Sequence, residues 1–270
     1  MDGADAGLVA DAGPSPDACP DGMAKVGRAC IDRWEAHLVV RDGSGATQPH
    51  PHNERLERGT TYVAVSAPDV CPQGYISRVE ASAACKAAGK RLCSLGEWRR
   101  ACRGKRGADF PWGPRGARGR CSSAKTHLLQ QKFGADSRRW TYDDFNDPSL
   151  DVEPGFLTKT GGYPDCRSDG DVMDLVGNLH EWVSDTVTTE LAERIEAEPV
   201  ERHKQPWREG NGVFVGGFFS TDAELGPGCT NITIAHEPTY HDYSTGFRCC
   251  ASLPKPPKAD AKGSAKAAGR

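Results

Sequence analysis

The 270-residue chain contains few of the features that most often identify a protein's work. Its mean hydropathy is −0.60, and it contains no apolar run near the roughly 18–20 residues that a membrane span needs. Net charge is only −3, with acidic and basic residues interspersed, so no whole-molecule field selects a nucleic acid or a membrane surface as partner. Aromatic residues make up 7% of the chain and methionine occurs three times; the length suffices for one large domain or two small ones, of which one core is the simpler reading. The first residues, MDGADAGLVADAGPSPD, lack both a basic and an apolar signal segment; the expectation is a mature or truncated form whose signal or lipoprotein anchor is absent from this sequence.

What is present is cysteine, glycine and proline. Eleven cysteines accompany 31 glycines and 19 prolines, and no two cysteines stand in a C-x-x-C pair. Such spacing favours a disulfide framework over zinc, and an oxidising compartment: secreted, periplasmic or at the cell surface. An odd count leaves at least one thiol free, joined to another chain or engaged in chemistry. Cys19 and Cys30 bracket CPDGMAKVGRAC, a turn followed by an alternating stretch, and are candidates to bridge the base of a strand.

Composition divides the chain into three. Residues 1–17 are small, acidic and proline-punctuated and read as a disordered tether; residues 254–270 are the basic counterpart. Residues 18–253 form one domain, with the charged stretch 186–210 as a surface insertion. Within the domain two helices have clear starts: Ser77 with Glu80 and Ser94 with Glu97 are capping boxes, in which serine and glutamate satisfy first-turn amides. The second helix carries Trp98 and Cys102 one turn apart, facing a core. Residues 41–60, with His50 and His52, read as a loop. The stretch 103–120 is basic and glycine-rich around Phe110 and Trp112, without the ordered scaffold that a nucleic-acid site requires. VFVGGFFS (213–220) is an apolar strand interrupted by Gly216-Gly217.

The densest chemistry lies in DVMDLVGNLHEWVSD (171–185). Asp174, Gly177, Leu179 and Glu181 follow a D-x-x-G-x-x-x-E pattern, two carboxylates flanking a Gly-Asn turn that exposes backbone carbonyls, the oxygen mixture that calcium takes. The same residues also serve as plain turn and surface carboxylates around a core tryptophan. YDDFNDPSLD (142–151) gathers carboxylates for a second calcium site, although its spacing matches no defined loop. A third group, Cys229, His236 and His241, with His180 from the central stretch, provides thiol and imidazole ligands for a redox metal, iron or copper, or for zinc.

Taken in order, CIDRWEA (30–36), GKRLCSLGEW (89–98), FPWG (110–113), MDLVGNLHEW (173–182), VFVGGFFS and TGFRCC (245–250) resemble the formylglycine-generating enzyme, or sulfatase-modifying factor, family. That family is similar to the sulfoxide synthases and pyoverdine-maturation proteins. The resemblance implies an α+β, loop-rich variant of the C-type lectin fold, with a structural calcium on Asp174 and Glu181 side chains and Gly177 and Leu179 carbonyls. It also implies that the last strand is tied to the first helix, which points to Cys85 as partner of Cys249 or Cys250.

Active members carry two cysteines four residues apart after the Gly-Gly strand; these bind copper and activate oxygen to oxidise a substrate cysteine. Here Thr221 stands near the first position and Cys229, displaced, near the second; H-x-x-x-H-x-E, the sulfoxide-synthase iron motif, does not occur. Two functions follow as expectations: a metal-dependent oxidase using Cys229, His236 and His241, or a catalytically silent module that binds a protein, peptide or polysaccharide.

Overall fold

The structure is a computed structural model and describes residues 18–198, 205–221 and 228–253. The tether 1–17 and the tail 254–270 lie outside the described residues. Three small sheets and five short helices pack around three separate apolar clusters. No helix among the described residues is long and apolar enough to cross a membrane.

The chain enters through a hairpin, β1 (Met23–Val26) and β2 (Ala29–Asp32), whose tight turn places Gly27 at φ +62°. The last strand, β11 (Cys249–Ser252), pairs antiparallel with β2 on one side and with β6 (Arg91–Leu92) on the other, so both ends of the domain share one sheet. A second, antiparallel sheet has β3 (Ala36–Arg41) at its centre, between β4 (Thr47–Pro49) and β5 (Tyr62–Ser66). The third, in the order β10-β7-β8-β9, is built on β7 (His180–Thr186), the continuation of the Asp171 stretch. β10 (Thr245–Phe247) runs parallel to β7, while β8 (Gly212–Val215) and β9 (Ile232–Thr233) are antiparallel.

Both capping boxes form. Ser77 opens α1 (Arg78–Ala87) and Ser94 opens α2 (Leu95–Arg103), each serine accepting the N3 amide while its glutamate accepts the cap amide. Trp98 and Cys102 are fully buried on one face of α2. Three expectations change. Residues 41–60 contain a strand, β4, because Thr47–Pro49 complete an edge on β3. TGFRCCASL, which reads in sequence as one short closing strand, is two strands in different sheets, with Arg248 between them. The described part of 186–210 is not purely surface: α5 (Thr189–Glu196) buries Leu191, Ala192 and Ile195 in the largest cluster, at the i, i+1, i+4 spacing of an amphipathic helix.

Five disulfides substitute for apolar mass: Cys19–Cys30, Cys85–Cys249, Cys93–Cys250, Cys102–Cys229 and Cys121–Cys166. Cys71 is the one free thiol. Adjacent Cys249 and Cys250 point to opposite faces of β11, as strand geometry requires, and so reach α1 and the loop before α2 respectively. Cys85–Cys249 closes 164 residues of chain, the longest of the five. Replacing both by alanine is expected to lower stability by about 3–5 kcal/mol, read by guanidinium unfolding, because the cross-link's effect grows with the loop it closes.

Candidate functional site

The turn ahead of β7 is held in left-handed backbone at Asp174 (φ 59°), Gly177 (φ 79°) and Asn178 (φ 58°). Only glycine fits at 177, where a Cβ would lie 2.1 Å from the Ser122 carbonyl oxygen. Glu35, fully buried at the end of the hairpin's outgoing strand segment, accepts from the Asn178 side chain (2.6 Å) and the Leu179 amide (3.0 Å). Asp174 accepts the Gly161 amide at 2.7 Å. Glu181 is gripped by Arg248 through Nε (2.6 Å) and Nη2 (2.7 Å) and by the Trp98 indole N–H (2.9 Å). Arg248 is 1% exposed and also donates to the carbonyls of Asp32, Arg33 and Met173.

Three carboxylates therefore surround one guanidinium in a space closed to water. Burial, followed by the neighbouring Asp174 and Glu181, raises the Glu35 carboxyl well above its ordinary range; burial raises Asp174 to about 6. No hydrogen bond ends on the carbonyls of Gly177 or Leu179 among the described residues. The acidic surplus and the two carbonyl oxygens without hydrogen bonds are hard donors of the kind expected of calcium at Asp174, Gly177, Leu179 and Glu181, while both Glu181 oxygens are engaged by Arg248 and Trp98.

The redox-metal expectation fares differently. Cys229 is disulfide-bonded to Cys102 and fully buried, so it offers no thiolate; its partner is not Cys166, which pairs with Cys121. The imidazoles do not converge. Phe214 intervenes between His180 and His236, with ring centroids 4.7 and 5.6 Å away; His236 stacks on Tyr240 at 3.9 Å; Tyr142 follows at 5.8 Å and His241 at 5.5 Å. His241 is bonded to Asn146 Oδ1 at 2.7 Å. Among the described residues no three His, Cys, Asp or Glu side chains form a metal-holding group. The chain has turned these residues into a row of stacked rings. Burial, with His236 a lesser influence, pushes His180 down to about 3, and burial followed by Arg55 pushes His241 to about 4, so both stay neutral at physiological pH.

His180 instead faces a cleft of about 360 Å³, lined by His127, Phe218, Thr221, Asn231 and Thr233 among others. His127 stacks on Trp140 at 4.9 Å, and Phe218 lies 5.1 Å from the His180 ring. His127 Nδ1, His180 Nδ1 and Asn231 Oδ1 are buried without partners. Sequence reading missed His127 and Asn231, which stand in no motif; the unpaired polar atoms that single them out exist only once the chain is folded. Behind the cleft, Lys125 donates to Ser122 Oγ (2.9 Å) and to the Phe156 carbonyl and lies over the Phe219 ring. In the 103–120 stretch Arg103 pairs with nearby Asp109, Arg106 with the sequence-distant Asp169, and Arg120 lies over the Trp112 ring.

A family model described as "Sulfatase-modifying factor enzyme 1-like domain" matches residues 28–253. No curated protein matches. Among solved structures, a Major Tropism Determinant I1 variant is 13% identical with a TM-score of 0.45, covering 87% of this chain and 54% of that one. CarF is 14% identical with a TM-score of 0.32, covering 82% and 59%. Variable protein 1 of Treponema denticola is 12% identical with a TM-score of 0.31, covering 82% and 63%. The chain thus spans about half the length of the first of these.

Two outcomes follow from the electrostatics. Arg248→Met should cost about 3–5 kcal/mol of unfolding free energy, since it strands Glu181 as an uncompensated buried charge. Burial lowers Lys125 from 10.5 to about 8 in the fold, so the folded state holds fewer protons than the unfolded one between those values and stability rises with pH across that window. Because the amine is partly solvated, the gain is discounted to about 1–2 kcal/mol. Denaturant titrations from pH 8 to 10.5 check it; Lys125→Met should flatten the curve.

Proposed function

Because this chain belongs to the sulfatase-modifying factor family, whose variant of the C-type lectin fold it adopts, we propose that it is an exported member that binds and does not oxidise. The observation that carries this reading is the Cys102–Cys229 disulfide. The family's copper chemistry uses a pair of thiolates after the Gly-Gly strand, and here that region supplies Thr221 and a cysteine already spent on α2. A soft cuprous ion has no thiolate to bind, and the neutral imidazoles of His180, His236 and His241 are strung along an aromatic row. No oxidation step is therefore assigned to iron or copper at these residues.

The cleft bounded by His127, His180, Phe218 and Asn231 is the surface on which a ligand fits best. It joins an aromatic wall to polar atoms, the combination that small-molecule and peptide pockets use for contact and orientation. Its occupant is a protein segment, a peptide or a polysaccharide. Tyr142, 48% exposed, extends the aromatic surface beyond the cleft toward Tyr240. A calcium ion, where bound, would be held by Asp174 and Glu181 side chains with the Gly177 and Leu179 carbonyls. It supplies structural charge compensation, and these residues pin the turn that presents His180. Five disulfides fit a secreted, periplasmic or cell-surface site for this binding.

The test pairs two measurements on the full chain. Oxygen consumption with cysteine-containing peptides, after loading with copper or iron, should equal the protein-free rate. Screening against immobilised polysaccharides and peptides should give binding that Phe218→Ala abolishes without lowering the melting temperature of the disulfide-intact protein by more than a surface-cleft change does. Metal-dependent oxygen uptake with loss of substrate thiol would sink the proposal.

A further inference from the structure

A second cavity, of about 450 Å³, borders the Asp174 turn and shares no lining residue with the His127–His180 cleft. One of its walls is apolar, made by the Trp34 indole with Pro68, Pro164 and Met173. Trp34 is half-buried and held through its backbone, whose N–H donates to Ser66 Oγ (3.1 Å) and whose carbonyl accepts from it (3.0 Å). Its indole N–H makes no hydrogen bond among the described residues. Gly161, in left-handed backbone at φ 73°, carries no side chain to cover that edge; a Cβ there would lie 3.4 Å from Trp34 Nε1.

The other wall is charged, with a positive surplus. Arg33 and Arg167 both turn to one carboxylate, Asp171, at 4.0 and 3.7 Å. Among the described residues, the one hydrogen bond that either guanidinium makes runs from Arg33 Nη1 to the Asp171 carbonyl (3.1 Å). Asp69, the second lining carboxylate, is paired with Lys159 at 3.2 Å. Three cations therefore face two carboxylates, and most of the guanidinium N–H donors have no protein acceptor. The main chain offers less: the amides of Trp34, Asp69, Thr160, Gly161, Gly162 and Met173 all donate within the protein, so an extended peptide finds few backbone partners here. Recognition falls to forked side-chain groups and a flat ring.

We propose that this cavity binds an acidic saccharide, a pyranose unit that carries a carboxylate. The apolar face of the sugar ring packs on Trp34 and the two prolines, and its carboxylate takes the free N–H groups of Arg33 and Arg167. Its hydroxyls meet the Trp34 N–H and the Asp69 and Asp171 carboxylates, so contact and orientation come from different walls. An inorganic anion would leave the apolar wall unused, and a neutral sugar would leave the guanidiniums unused. The site goes beyond the cleft described above and does not depend on what that cleft holds. Gly161 donates its amide to Asp174 Oδ2 at 2.7 Å, so the occupant rests against the turn that leads into β7.

The full, disulfide-intact chain is titrated by calorimetry with oligosaccharides of galacturonate, glucuronate and mannuronate, and with their methyl esters, which keep the ring and lose the charge. At least one acid should bind saturably, and its ester about tenfold more weakly, the loss of one charge-assisted contact. Arg167→Gln, at a side chain 61% exposed, should weaken the acid by a similar factor and leave the ester unchanged. Trp34→Ala, shown to be folded by circular dichroism, should weaken both. Phe218→Ala, a change in the other cleft, should alter neither, so the two sites hold or fail separately. Three results overturn the proposal: no saturable binding of any of the three acids, binding that polyglutamate of equal charge matches, or a preference for acid over ester that Arg167→Gln leaves intact.

Discussion

Everything near the site depends on the ion pair between Arg248 and Glu181. Arg248 lies in the single residue between β10 and β11, two strands that belong to different sheets. Its guanidinium reaches Glu181 on β7, the carbonyls of Asp32 and Arg33 beside β2, and Met173 ahead of the turn, so one side chain references both sheets to each other. A buried ion pair is poor evidence of net stabilisation, because desolvation offsets most of its attraction. Its value lies in specificity. With every guanidinium direction used and Glu181 also fixed by Trp98, no other register of β7 against β10 satisfies the charges. Lys90 repeats the device at lower burial, donating to Asp32 at 2.5 Å where β2 and β11 meet.

Such anchoring matters because apolar burial is divided. Among the described residues there are three apolar clusters instead of one, and many polar groups are buried with them: Glu35, Asp32, Gln73, Asn178, Asp242 and Arg248. Each must be paired or it costs free energy. The disulfides act on the other side of the balance by restricting the unfolded chain, and their placement follows that logic. Cys85–Cys249 and Cys93–Cys250, the two bridges with the longest spans, fasten β11 to α1 and to the start of α2. Cys102–Cys229 then ties α2 to the segment after the Gly-Gly strand.

Local features were legible beforehand. Capping boxes need residues three apart, and both formed; the hairpin cysteines 19 and 30 needed only a turn between them. The family was readable from an ordered series of motifs, and the resemblance implied a bond from Cys85 to Cys249 or Cys250; the structure selects Cys249. Features set by distant partners were not legible. Cys229 stands between His180-bearing and histidine-rich segments in sequence, but its bonding depends on α2, 127 residues earlier. Arg248 reads as one more cation in TGFRCC until the fold surrounds it with carboxylates. The helix α5 was legible as a short helical pattern around Leu191 to Ile195, but its burial was not, because the apolar stripe among its charges is only three residues wide.

The remaining step concerns why a scaffold that holds so much titratable chemistry does not bring it together. Phe214 is the reason for the imidazoles. It sits on β8 with its ring against Trp182 (4.7 Å), His180 and His236 at once, so the two histidines pack on either side of a hydrocarbon and not across an ion. Packing of this kind lowers their proton affinity by burial and leaves their remaining nitrogens as neutral donors or acceptors. The neutral nitrogens of His180 and His127, buried without partners, are left to give or take a hydrogen bond in the cleft. In the same way, the Cys229 sulfur contributes to the scaffold through α2 instead of to the cleft. The thiol and imidazoles that the sequence sets close together are thus assigned by the fold to cross-linking and packing.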